Sequence, residues 1–204
     1  MNVDFTLLIP EFILAGVGFL VLLVDMVLPT RWERRRNAAT ATTAAVGLAA
    51  VFAVALATQT DTRTFLYDRI LYVDRYSLLF KALFTGVGFA VVLMSVDYVG
   101  RKMSHPGEYY ALVVFAVLGA DLMASSGELL TAFISIELLS FSLYVLVALT
   151  RGDRRSAEAS TKYILLGAIS SAVMLYGISL LYGAIGATAF SAMTSQLGAI
   201  MPLT

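Results

Sequence analysis

Residues 127–149 read GELLTAFISIELLSFSLYVLVAL, and this stretch decides the fold. It is long enough to cross a bilayer as a helix. It carries one acid near its middle: Glu137 lies nine residues past Glu128 and fourteen before Arg151. At a rise of about 1.5 Å per residue, that puts the carboxyl within a few ångströms of the bilayer centre. A charge at that depth costs about 2.5–3.5 kcal/mol on insertion scales, so it needs a use or a partner. Ser140 and Tyr144 share its helical face. The polar stripe Glu137–Ser140–Tyr144 therefore has to face other helices or water, not lipid.

The rest of the chain is of the same kind. Of 204 residues, 59% are hydrophobic and 14% charged, against about 25% charged in soluble domains. The apolar residues come in blocks of roughly 20, a membrane pattern. The net charge is zero, which gives no footing for nucleic acid. Cysteine is absent and His105 is the lone histidine, so thiol chemistry, iron–sulfur ligation and a haem or zinc site are excluded. No redox cofactor site is recognisable. The first apolar run lacks the positive start and small-residue cleavage site of a signal peptide.

The blocks predict an all-α integral membrane protein with six transmembrane helices, at about 5–28, 38–58, 78–96, 109–125, 128–149 and 156–183, in one membrane domain over 1–204. The second is rich in Ala and Thr, as expected where helices pack closely or border lipid weakly. Gly167, Ser170, Ser171 and Gly177 punctuate the sixth and predict close backbone approach. Ser125-Ser126-Gly127-Glu128 is so short that the fourth and fifth helices must be antiparallel neighbours. Residues 61–77 read as an interfacial connection with Tyr67, Tyr72 and Tyr76, and a short strand pair is expected there. Residues 184–204 read as a tail with a short interfacial helix around 193–201. Nine Lys and Arg fall in the loops after the first, third and fifth helices, against Arg63, Arg69 and Arg75 on the other side. The positive-inside rule then puts both termini, and the tail, on the non-cytoplasmic side.

Glu137 is the leading candidate for chemistry. It is either helix glue, hydrogen-bonded and inert, or a relay group that loads and releases a proton. Lys162 has two readings as well: a lysine that snorkels and pairs with Glu158, or a cation that modulates Glu137 from the next helix. Asp121, near the outer end of the fourth helix, is expected to reach the interface, with a proton-path role as the alternative. Lys81 reads as a snorkelling interface residue. Glu11 and Asp25 read as interfacial anchors or helix-contact groups, and His105 as solvated.

Four segments then become recognisable: LLIPEFILAGVGFLVLLVD (7–25), VDRYSLLFKALF (73–84), GEYYALVVFAVLGADLMASSGELLTAFISIELLSFSLYVLVAL (107–149) and RSAEASTKYILLGAISSAVMLYGISLLYGAIG (155–186). Together they resemble the N subunit of bacterial NADH–quinone oxidoreductase, respiratory complex I, over about residues 7–190. The resemblance implies an antiporter-like membrane-arm subunit of the bacterial plasma membrane. Such a subunit helps move protons while electron transfer runs elsewhere in the complex. It implies a non-redox subunit of a translocase, with other membrane-arm subunits as partners. FMN, iron–sulfur clusters and quinone are then expected in partner subunits, not here. Glu137 matches the family's key glutamate, and Lys162, in S-x-E-A-x-x-K-Y, an accessory position. A full subunit has about fourteen helices. This chain carries six, without the broken seventh helix and its lysine, so a fragment or a split subunit is expected. Asp121 stands where the family pattern has an apolar residue. A cation/proton antiporter subunit and a purely structural membrane subunit are the alternatives.

Overall fold

The structure is a computed structural model that describes residues 8–29, 32–58, 64–66, 70–103, 105–150 and 152–200, with the backbone only at 64–66 and 197–200. Among the described residues seven helices run α1 Ile9–Val27, α2 Glu33–Ala57, α3 Arg75–Lys102, α4 Pro106–Ala124, α5 Leu129–Ala148, α6 Arg154–Ile185 and α7 Phe190–Ile200. Two short strands, β1 Thr64–Leu66 and β2 Leu71–Val73, lie between α2 and α3. The first six helices are each long and apolar enough to cross a membrane. The chain is thus an all-α membrane protein with one small hairpin.

Local sequence sets the helix ends. Pro10 and Pro106 sit in the first turns of α1 and α4, where a missing N–H costs nothing. Asp74 and Ser77 form a reciprocal capping box at the start of α3. Gly186 ends α6 in the left-handed region at φ 73°, which its missing Cβ permits. Several helices outrun the apolar blocks. α3 begins at the Asp74 cap and ends on Arg101 and Lys102, whose charges suit a helix C-terminus.

Helices α1 to α4 make the core. Leu14, Val21, Leu48, Val51, Val92, Val99 and Val114 are fully buried there with Tyr110. Small residues let α2 come close: a Cβ on Gly47 would lie 2.4 Å from a Val17 methyl. In lipid such packing, rather than removal from water, holds helices together. α5 packs on α4, and α6 packs on α5 at the edge of the bundle. α6 therefore keeps most of its apolar residues exposed, Leu166, Ile169, Val173 and Tyr176 among them. The close approach expected along its length occurs at Gly167, whereas Gly177 meets nothing. The reason is position: an edge helix has one neighbouring face.

One end of the bundle is stitched by backbone bonds. β1 and β2 pair antiparallel, Phe65 opposite Tyr72. Tyr72 N–H donates to the Ser125 carbonyl at 2.7 Å and Gly127 N–H to Ile70 at 2.7 Å. The α6–α7 link joins from the other side, where Leu129 N–H reaches the Thr188 carbonyl and Phe190 N–H that of Gly127, both at 3.1 Å. The Ser125–Glu128 turn thus lies between the hairpin and residues 188–190. The Arg31, Arg63, Arg69, Arg151, Tyr67 and Met201 positions of the sequence reading lie outside the described residues.

Candidate functional site

Glu137 sits midway along α5, half-buried, and its Oε1 accepts a hydrogen bond from the Ser171 hydroxyl of α6. A hydroxyl can donate to the charged carboxylate and can accept from the protonated acid. The pair can therefore hold either state of the carboxyl in an apolar setting. Ser140 is half-buried one turn along. Tyr144 is buried at 7% exposure, with its hydroxyl end over Gly167: a Cβ there would lie 1.8 Å from Oη. Its ring stands edge-on to Tyr163 of α6, centroids 4.8 Å apart. The stripe expected on α5 therefore meets another helix, as its polarity demands.

Lys162 does not meet Glu137. Its ammonium is exposed and bonds the Glu158 carboxylate at 2.6 Å, one turn back on α6. It lies nine residues before Ser171, about 13 Å along the helix axis. Of the two readings of this lysine, the pairing with Glu158 is the one seen.

Three expectations need correction. Asp121 does not reach the interface: it is completely buried. The hairpin and residues 188–190 are bonded to the turn that closes α4, so the helix end is covered. Lys81 does not snorkel. It is 1% exposed and its Nζ bonds Oε1 of Glu11 on α1. Among the described residues, Lys81 and Glu11 lie near enough to Asp121 for their charges to be felt there. No local signal marks this group: depth along each helix puts the three residues toward one end of the bundle but does not say which helices lie side by side.

His105 is not simply solvated. It is half-exposed, with Nδ1 3.9 Å from Oδ2 of Asp25. Asp25 is a helix-contact group at the opposite end of the bundle. Its Oδ1 lies 3.1 Å from Arg36 Nε and accepts from the Gly107 N–H at 3.2 Å. Next to it Asn37 donates to the Val96 carbonyl and accepts from the Tyr110 hydroxyl, each at 3.1 Å. Among the described residues no group of three or more His, Cys, Asp or Glu converges as metal ligands.

Comparison with known proteins agrees with this architecture. Residues 126–202 match the family described as NADH:quinone oxidoreductase/Mrp antiporter, transmembrane region. NADH-quinone oxidoreductase subunit N 1 of Koribacter versatilis is 39% identical over 95% of this chain and 39% of its own length. A chain of respiratory complex I from Thermus thermophilus superposes with a TM-score of 0.70 at 32% identity, covering 89% of this chain and 38% of that one. A chain of the Mrp complex from Dietzia sp. superposes with a TM-score of 0.73 over 92% of this chain and 20% of its own, at 18% identity, which shows likeness of fold alone. The chain spans about two fifths of the length of the curated relatives it matches. Along nearly all of its own length, the chain is similar in sequence to part of these NADH-quinone oxidoreductase N subunits.

Proposed function

We propose that this chain supplies part of an antiporter-like proton path in a membrane-arm subunit of proton-pumping NADH–quinone oxidoreductase. The observation that carries the reading is Glu137: a mid-helix carboxyl, half-buried, with a hydroxyl partner on the next helix. An ionisable group kept at membrane depth marks a proton or ion route by default. Glu137 takes and releases the proton, Ser171 steadies both of its states, and Ser140 and Tyr144 extend the polar face along α5. Lys162, paired with Glu158, sits nearer the α5–α6 turn as an outlying, charge-balanced pair. No electron passes through this chain. FMN, iron–sulfur clusters and quinone belong to partner subunits, and the neighbouring membrane-arm subunits cover the exposed face of α6.

The loop charges support an orientation in the bacterial plasma membrane with the hairpin end and both termini outside the cytoplasm. A cation/proton antiporter subunit is the second reading, favoured by the fold shared with the Mrp complex. Glu137→Gln in the assembled complex tests the first. Proton pumping should drop sharply while the complex still assembles. Pumping at the wild-type ratio would leave the chain a structural brace. Co-purification without any NADH-oxidising partner would favour the antiporter.

A further inference from the structure

We propose that Glu11, Lys81 and Asp121 form a second, buried proton-exchange site, separate from Glu137, with the proton held at a carboxyl oxygen of Asp121. The three residues come from three helices, α1, α3 and α4, and are 6%, 1% and 0% exposed. Lys81 bonds one oxygen of Glu11. The other Glu11 oxygen and both Asp121 oxygens are buried with no hydrogen-bond partner among the described residues. Buried polar atoms are normally paired, and a buried charge without a partner is costly.

The charge balance says what is missing. One ammonium matches one carboxylate, and the trio has two. A further positive unit makes the site neutral. Lys81 already occupies the cation position beside Glu11, so few oxygens remain for an alkali ion, which needs several. A proton needs one. On Asp121 it converts a carboxylate into a neutral acid that can donate a hydrogen bond. The step is a carboxylate plus a proton giving a carboxylic acid, and it needs no other reactant.

The ionisable groups on neighbouring elements are engaged elsewhere. Asp25 of α1 faces Arg36 of α2 and His105 at the far end of the bundle. Glu128 accepts from Thr131 and Thr188, and Glu137 from Ser171. Asp121 lies one turn from the end of α4, and its carbonyl accepts from the Ser125 hydroxyl at the turn, so the path from the carboxyl to the end of the bundle is about one helical turn.

The test uses the full chain in its native membrane and infrared difference spectra between acid and alkaline pH. A buried carboxylic-acid band should appear on acidification, shift in heavy water and shift again when aspartate carries carbon-13. It should vanish in Asp121→Asn. Lys81→Gln leaves two carboxylates without their ammonium, so the carboxylic-acid signal of the site should about double. The labelling arm needs no variant and stands even if a substitution prevents assembly. A band indifferent to aspartate labelling, or no pH-dependent band at all, overturns the proposal. So does a band removed by sodium or potassium at constant pH, which would make the trio a metal-cation site.

Discussion

The Ser171 hydroxyl of α6 donates to Oε1 of Glu137, tying the midpoints of two antiparallel helices through a group that can change charge. A hydrogen bond to a charged group contributes about 1.5–3 kcal/mol, which is roughly ten- to hundredfold in an equilibrium constant. Ser171→Ala should therefore move proton pumping most of the way toward that of Glu137→Gln. Ser170→Ala is the matched control, because Ser170 is exposed and bonds only the Leu166 carbonyl of its own helix. Pumping should be unchanged there. Equal losses in the two variants would detach Ser171 from the mechanism.

Tyr144 and Gly167 make the second contact of the same interface. A Cβ on Gly167 would lie 1.8 Å from Oη and 2.5 Å from Cζ of Tyr144. Gly167→Ala thus forces the ring away, at an overpacking cost of about 1–3 kcal/mol. Thermal unfolding in lipid nanodiscs should show the loss. Tyr144→Phe removes Oη but leaves Cζ too close, so the double variant should recover only part of the stability. Full additivity of the two changes would mean that the residues do not touch.

These interfaces also show what could be read from sequence. Six helices long and apolar enough to cross a membrane, the Ser125–Glu128 turn and the mid-helix place of Glu137 follow from hydrophobic block length and helical rise, which are local properties. A short strand pair is expected within residues 61–77, and β1 and β2 pair there, with Tyr72 in β2 and Tyr76 in α3. The Glu11–Lys81 pair is not legible, because block length gives depth along a helix and says nothing of its rotation or its neighbours. Lys81 near a helix end therefore looked like a snorkelling residue until α1 was seen beside it. Asp121 is hidden from sequence for a related reason: it is fully buried, and the turn that closes its helix is bonded to residues 70–72 and 188–190, far away in the chain. Ser171, too, reads only as a small residue on α6, since nothing local marks which of its serines meets Glu137.

Two ion pairs should respond in opposite ways to mutation and salt. The Asp25 and Arg36 side chains are 10% and 3% exposed, and the Gly107 N–H and, at 3.9 Å, the His105 imidazole also face the carboxylate. Removing one partner strands a buried charge, so Arg36→Met should cost about 3–5 kcal/mol and be insensitive to salt. Adding Asp25→Asn should recover much of that loss. Glu158 and Lys162 are 61% and 70% exposed. An exposed pair contributes at most about 1 kcal/mol, so Lys162→Gln should barely move stability, and salt should erase what difference remains. Denaturation profiles at low and high ionic strength would reveal the contrast. A large, salt-independent loss in Lys162→Gln would point to a buried role for that amine.

Gly119 and Gly177 separate packing from helix propensity. Both lie inside transmembrane helices, and alanine is the better helix former at each by about 0.5–1 kcal/mol. At Gly177 a Cβ meets nothing, so Gly177→Ala should be neutral or stabilising by up to that amount. At Gly119 the Cβ would lie 2.7 Å from the Leu139 backbone nitrogen and 2.9 Å from the Ser135 carbonyl oxygen. Backbone cannot swing aside as a side chain can, so α4 and α5 must separate. Gly119 is two residues from Asp121, and Leu139 two from Glu137, so the separation would disturb the buried and the half-buried acid at once. Gly119→Ala should therefore lower thermal stability and proton pumping together, while Gly177→Ala lowers neither. If the two substitutions behave alike, the close approach of α4 and α5 is not what holds these carboxyls in position.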